Sequence, residues 1–183
     1  MSIEEILSSL STHMIQGTMI HEQLMNCYLF LGLDGYAACH KYHYLSESKG
    51  RIKLCKYAAK RYSSVIKSGQ VSDPEIIPSS WFTTFRENVN AQTRKEAMKA
   101  ALNEWLKWEE ETKKLYEECY SELLAKQDIA FSEFLVSYIN DVDEELIFIK
   151  EELLHKTAMD FDIVSILEEQ SSYKKKFKNL LKK

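Results

Sequence analysis

The sequence has few of the residues that interrupt helices, and it has no long apolar run. Of its 183 residues only 5 are glycine and 2 are proline, while hydrophobic residues make up 45%. This balance predicts long helices with short connections, in a single domain that spans residues 1–183 and can bury a substantial core. No apolar stretch approaches the length of about 18 residues that a membrane-spanning helix needs. We therefore expect no membrane partner.

Paired cysteines, a signal peptide and an excess of basic charge are also missing. The four cysteines (Cys27, Cys39, Cys55, Cys119) form no Cys-x-x-Cys pair, which is typical of buried thiols in a reducing compartment. The N-terminus carries acids where a signal peptide requires bases. The formal net charge is -4, so no specific nucleic-acid partner is expected. These absences predict a cytoplasmic protein.

Apolar residues recur at steps of three and four along most of the chain, which predicts five helical segments. The segments span about residues 2–32, 36–67, 92–126, 129–156 and 162–181. Ser2 and Glu5 have the spacing of a capping box at the start of the first segment. Residues 68–91 contain both prolines and predict a long crossover. A connection of this length suits a bundle in which the second and third helices run parallel.

Two predicted helices each place a carboxylate in an apolar stripe. Glu109 lies in the stripe of the third helix, one turn after Trp105, and Glu145 lies in that of the fourth, one turn before Ile149. Such stripes normally pack against neighbouring helices. A carboxylate there is costly unless it is paired, protonated or bound to a cation. The two carboxylates therefore mark a candidate polar site inside the bundle.

The first two predicted helices add histidines and a third carboxylate. His21 occupies a stripe position in the first helix, and Glu22 follows it. In the second helix His40, His43 and Glu47 share one face because of their helical spacing. His40 is expected near the bundle end. The first helix therefore offers His21 or Glu22 to the site, and the second offers His43 and Glu47.

The order of small, acidic and aromatic residues along the third and fourth predicted helices is also informative. It is carried by Ala100–Ala101–Leu102, Leu106, Glu109, Asp128, Phe134–Leu135, Tyr138 and Glu144–Glu145. This order resembles the ferritin sequence around its third and fourth helices. The resemblance implies an all-α fold: a ferritin-like four-helix bundle with a long crossover between helices 2 and 3 and a fifth C-terminal helix. It also implies a homo-oligomer.

The resemblance further implies a di-iron carboxylate site inside the bundle. It places iron ligands at Glu109 and Glu145, with Asp141 one turn before Glu145 on the same face. It aligns Glu47 with the glutamate of the family's Glu-x-x-His pair and Gly50 with the histidine, so this pair is incomplete. Iron is the expected metal ion, with manganese as a substitute, because carboxylates dominate the ligand set.

The resemblance extends to a tyrosine and leaves the first-helix ligand open. Tyr28 matches the tyrosine that follows a first-helix ligand in ferritins, which puts His21 at the ligand position. Moving the register by one residue restores Glu22 instead. Tyr28 is then a hydrogen-bond partner of the ligands, and His43, one turn before Glu47, offers an imidazole near the lost histidine. The implied function is binding of ferrous ion, with its oxidation or storage.

A metal-free bundle is the alternative. Gly50 in place of the histidine, and Val142 where many ferritins carry a polar side chain, favour this alternative. Hydrogen bonds to Tyr28 or Tyr116 would then maintain the buried carboxylates, and no cofactor would bind. Such a bundle would act as a protein-interaction, assembly or inhibitor module.

Overall fold

The computed structural model describes residues 1–72 and 89–181, where α-helix is the sole regular secondary structure. The five helices are α1 (Ile3–Phe30), α2 (Asp34–Tyr62), α3 (Ala91–Ala125), α4 (Ile129–Ala158) and α5 (Ile163–Leu180). Ser2 and Glu5 form the predicted capping box at the start of α1. None of the helices in these ranges is both long enough and apolar enough to cross a membrane. The predicted all-α class is confirmed.

Contacts between side chains give the direction of each helix. Gly17 of α1 lies against Glu47 of α2, and Tyr28 stacks on Tyr36, so rising numbers in one helix meet falling numbers in the other. Three other pairs of helices are antiparallel by the same criterion. The contacts are His13–Thr112 and His21–Glu109 between α1 and α3, His43–Glu145 and Gly50–Tyr138 between α2 and α4, and Trp105–Phe148 and Tyr116–Tyr138 between α3 and α4. Therefore α2 and α3 run parallel, as the predicted crossover requires. Most of that crossover, residues 73–88, lies outside the described residues.

The end of α2 differs from the sequence-based expectation. The helix ends at Tyr62 instead of about residue 67, and the next residue, Ser63, has the left-handed φ of 51°. The chain then lies against α1, where the Ser8 hydroxyl donates to the Lys67 carbonyl at 2.7 Å. Because these hydrogen bonds to another helix replace helical ones, α2 is shorter than its periodicity predicts.

Apolar side chains fill both ends of the bundle. One buried cluster includes Leu24, Leu31, Ala101, Leu102, Trp105 and Ile149. The other includes Leu10, Leu54, Leu123, Phe131 and Leu135. Several of the buried polar residues come from the helix segments between these clusters: His21, His43, Glu109 and Thr112. The polar site therefore lies near the middle of the bundle, with apolar packing on both sides.

The fifth helix packs on α2 and covers part of the polar site. A Cβ built on Gly35 of α2 would lie 2.1 Å from the backbone oxygen of Gln170 in α5, so the two backbones are in close contact. Further along α5, the ring of Phe177 lies 6.3 Å from that of His43, between centroids. This close approach depends on the missing side chain at Gly35.

Replacing Gly35 with Ala should weaken the docking of α5. The added Cβ meets a backbone carbonyl, which cannot rotate away, so we expect a loss of about 1–3 kcal/mol in the free energy of unfolding. Urea denaturation measures this loss, and hydrogen exchange of α5 localises it. Gly69→Ala is the control, because its Cβ would lie 3.4 Å from Thr12 Oγ1, an ordinary contact. Unchanged exchange in α5 of the Gly35→Ala variant would contradict this role.

Candidate metal centre

Glu109 is buried in the middle of the bundle, with 1% of its surface exposed. Its Oε1 accepts a hydrogen bond from Trp105 Nε1 at 3.1 Å and lies 3.7 Å from His21 Nε2. Burial, followed by the negative charges of Glu145 and Glu47, raises the pKa of Glu109 well above its ordinary value. The predicted buried carboxylate of the third helix is therefore present, and its surroundings favour the protonated form.

Glu145 of α4 forms a charged pair with His43 of α2. His43 Nδ1 lies 3.1 Å from Glu145 Oε1. Burial disfavours the charged form of both groups, but the attraction between their opposite charges is stronger in sum with their hydrogen bonds. The pKa of His43 is therefore raised well above its ordinary value, and the pKa of Glu145 is lowered. The interaction of His43 with the Cys39 thiol raises the pKa of His43 further. His43 therefore carries a positive charge next to Glu145.

Glu47 completes a group of three carboxylates that come from α2, α3 and α4. Its carboxyl carbon lies against α1, 3.0 Å from the position of a Cβ built on Gly17. Burial and the charge of Glu145 raise the pKa of Glu47 to about 8, although His43 acts in the opposite direction. Together with Glu109, these groups line one cavity of about 120 Å³. The structure thus brings the three predicted carboxylates and His43 together.

Imidazole and indole rings fill the space next to Glu109. His21 Nδ1 and His40 Nδ1 are 3.1 Å apart, so one nitrogen donates to the other. The centroid of the His21 ring lies 5.2 Å from that of His43, and the centroid of the Trp105 ring lies 4.6 Å from that of His40. Burial lowers the pKa of His21 and of His40 well below the ordinary value, so both are neutral. His40, which was expected near the bundle end, lies six residues after the start of α2 and contacts His21.

The structure distinguishes the two first-helix candidates. His21 points into the bundle with 1% of its surface exposed, whereas Glu22 is exposed on the outer side of α1. Successive residues of a helix differ by about 100° in direction, so one of the two faces the centre and the other does not. The structure therefore contradicts Glu22 as a site residue.

The other predicted partners are divided between the cavity and the core. Tyr116 lines the cavity, and Asp141 lies at its exposed edge. Tyr28 is buried and stacks on His40 at 5.2 Å between centroids. Its hydroxyl has no hydrogen-bond partner within the described ranges. The predicted hydrogen bond from Tyr28 to the carboxylates is therefore absent, because imidazoles lie between them.

Sequence reasoning missed Tyr138, which fills the space beside Gly50. Its hydroxyl donates to the Gly50 carbonyl at 3.1 Å, and its Cε1 lies 3.2 Å from a Cβ built on that glycine. Tyr138 lines the same cavity as Glu47 and Glu145. Its place in the α4 stripe, two turns before Glu145, was a signal that it faces the bundle.

The carboxylates are turned toward protein partners. In residues 1–72 and 89–181, no group of three or more His, Cys, Asp or Glu side chains is arranged so that it could hold a metal ion. Glu109 instead accepts from Trp105, and Glu145 pairs with His43. To bind a cation in the cavity, these side chains would have to rotate.

Replacing Glu47 with Gln should reduce the pH dependence of stability in the metal-free protein. The folded pKa of about 8 exceeds the ordinary value of 4.5, so the stabilisation is complete below 4.5 and is lost as pH rises through 8. Because Glu47 is partly exposed, we expect the wild type to lose on the order of 1–3 kcal/mol more than the variant between about pH 5 and pH 8. Urea denaturation at several pH values measures this difference.

The exposed Glu144, on α4, provides the control, and its substitution by Gln should leave the wild-type profile unchanged. Glu109, Glu145 and His43 titrate in both proteins. The measured difference therefore reports Glu47 together with its interaction with Glu109, whose pKa the charge of Glu47 raises. Parallel pH profiles for the wild type and the Glu47→Gln variant would contradict the environment described for Glu47.

Comparison with known proteins gives matches at the level of structure. No protein-family model and no curated protein matches the sequence. An engineered closed form of Archaeoglobus fulgidus ferritin has a TM-score of 0.77 at 17% identity, over 95% of this chain and 96% of that chain. The open pore ferritin of the same archaeon has a TM-score of 0.76 at 17% identity, over 93% of each chain. A PmFTN variant soaked in iron has a TM-score of 0.74 at 14% identity, over 92% and 97%. The chain therefore has a ferritin-like fold.

Proposed function

We propose that this protein binds ferrous ion in the cavity at the middle of its bundle. The observation that carries the proposal is the convergence of Glu47, Glu109 and Glu145, from three helices, on one cavity that His43 also lines. Iron is the substrate or cargo here. Its oxidation by dioxygen is the activity that the resemblance to ferritins implies.

The electrostatics of the cavity support a cation. Glu47 and Glu109 both have raised pKa values because burial and neighbouring carboxylates disfavour their charged forms. A divalent ion would supply the missing positive charge and displace the protons. Oxygen donors with one or two imidazoles suit iron or manganese better than a thiolate-selective metal. The carboxylates and imidazoles of the cavity are therefore suitable ligands for ferrous ion by their chemical type. Their side chains would rotate when the ion binds.

His21 and Tyr116 have supporting roles in this proposal. His21 Nε2 lies 3.7 Å from Glu109 Oε1, so it can orient the carboxylate or bind the ion with it. Its Nδ1 is already engaged with His40, which fixes the direction of the ring. Tyr116 lines the cavity next to the carboxylates.

A metal-free bundle that acts through a protein partner is the second candidate. Two observations favour it: Glu109 and Glu145 already have protein partners, and Tyr138 occupies the space beside Gly50. The homo-oligomer and the cytoplasmic location remain predictions.

Replacing Glu109 with Gln should weaken the binding of ferrous ion by at least about tenfold. Loss of a residue that only hydrogen-bonds to a ligand already costs this much, and the Glu109→Gln change removes the charge of a ligand itself. Anaerobic calorimetric titration of the purified protein measures the affinity. Glu111→Gln, an exposed change in the same helix, should bind like the wild type. The near-ultraviolet absorbance of ferric ion after exposure to air reports oxidation separately. A wild-type protein that binds no ferrous ion would leave the metal-free bundle as the function. An unaffected Glu109→Gln variant would contradict Glu109 as a ligand and this cavity as the binding site.

A further inference from the structure

The ring of Tyr138 lies against position 50 and limits the room for a side chain there. A Cβ built on Gly50 lies 3.2 Å from Tyr138 Cε1, closer than ordinary contacts, and the tyrosine hydroxyl is 3.1 Å from the Gly50 carbonyl oxygen. Gly50 lies three residues after Glu47, and both line the same cavity. An imidazole at position 50 would therefore point into the cavity, in the space where the phenol ring lies.

The opposite side of the cavity is also filled. Next to Glu109, the rings of His21, His40 and Trp105 lie against one another, with centroids 4.6 to 6.2 Å apart. All three are buried, with 1–2% of their surfaces exposed. A second metal ion on this side would have to displace rings from the core, which is closely packed in proteins. The free space next to Glu109 is therefore the cavity that Glu47 and Glu145 also line.

We propose that the centre takes one metal ion per chain, and that the ring of Tyr138 sets this number by occupying the space beside Gly50. Glu47, Glu109, Glu145 and His43 surround the single ion. This inference rests on the proposed function, since it concerns the same cavity. It departs from the di-iron site that the sequence resemblance implies, and it makes residues 50 and 138 determinants of stoichiometry.

The test is the number of ferrous ions bound per chain. Metal-free protein is equilibrated anaerobically with ferrous ion, and bound iron is counted after dialysis. We expect one ion for the wild type and one for Tyr138→Phe, which keeps the ring and loses only the hydroxyl. We expect two ions for the double variant Gly50→His/Tyr138→Ala, which supplies an imidazole and the room for it. Glu47→Gln should reduce the wild-type count, because it removes a ligand from this cavity.

Each outcome separates the two proposals. Two ions in the wild type, or one ion in a folded double variant, would overturn the single-ion inference and leave iron binding intact. No ion in the wild type would overturn the proposed function itself. Circular dichroism verifies that the double variant is folded; if it is not, the wild-type count of one or two decides the inference.

Discussion

Burial of the Glu109 carboxyl group is the constraint on which the centre of this bundle depends. An ionised carboxylate without partners would cost several kcal/mol in such a position. The structure avoids this cost in two ways: burial and the neighbouring carboxylates favour protonation, and Trp105 donates a hydrogen bond to the same oxygen that faces His21. The neighbouring His43 carries positive charge, which pairs with the carboxylate of Glu145. The polar centre is thus nearly neutral without a metal ion.

That neutrality has a chemical consequence. Glu47 and Glu109 hold protons that a cation could replace, while the His43–Glu145 pair can separate to supply an imidazole and a carboxylate. The same side chains therefore suit two states, a hydrogen-bonded state and a metal-bound state. Two hydrogen bonds limit the rotation of the surrounding rings: His21 is hydrogen-bonded to His40, and Tyr138 to the Gly50 carbonyl.

The fold and the carboxylates were predictable from the sequence because both follow from helical periodicity. An apolar stripe fixes which face of a helix is buried, so Glu109 and Glu145 could be assigned to the interior. Periodicity placed His21 in the stripe of the first helix, but the alignment with ferritins left Glu22 open as the ligand. Periodicity also does not tell how far one helix is shifted along its neighbour. The contacts of His40 with His21 and of Tyr138 with Gly50 were therefore not predicted.

Lys156, near the C-terminal end of α4, is another residue whose environment could not be predicted from the sequence. It is fully buried and hydrogen-bonds to Glu169 of α5, although nothing in its local sequence predicts a buried lysine. Tertiary packing, in this case the docking of α5, decides such cases. The end of α2 at Tyr62 has a similar origin, in hydrogen bonds between the following residues and α1.

The most direct measurement is anomalous X-ray scattering at the iron edge from crystals soaked anaerobically in a ferrous salt. We expect one strong anomalous peak per chain, in the cavity bounded by Glu47, Glu109, Glu145 and His43. A cavity without anomalous signal in crystals that show iron elsewhere on the protein would contradict it.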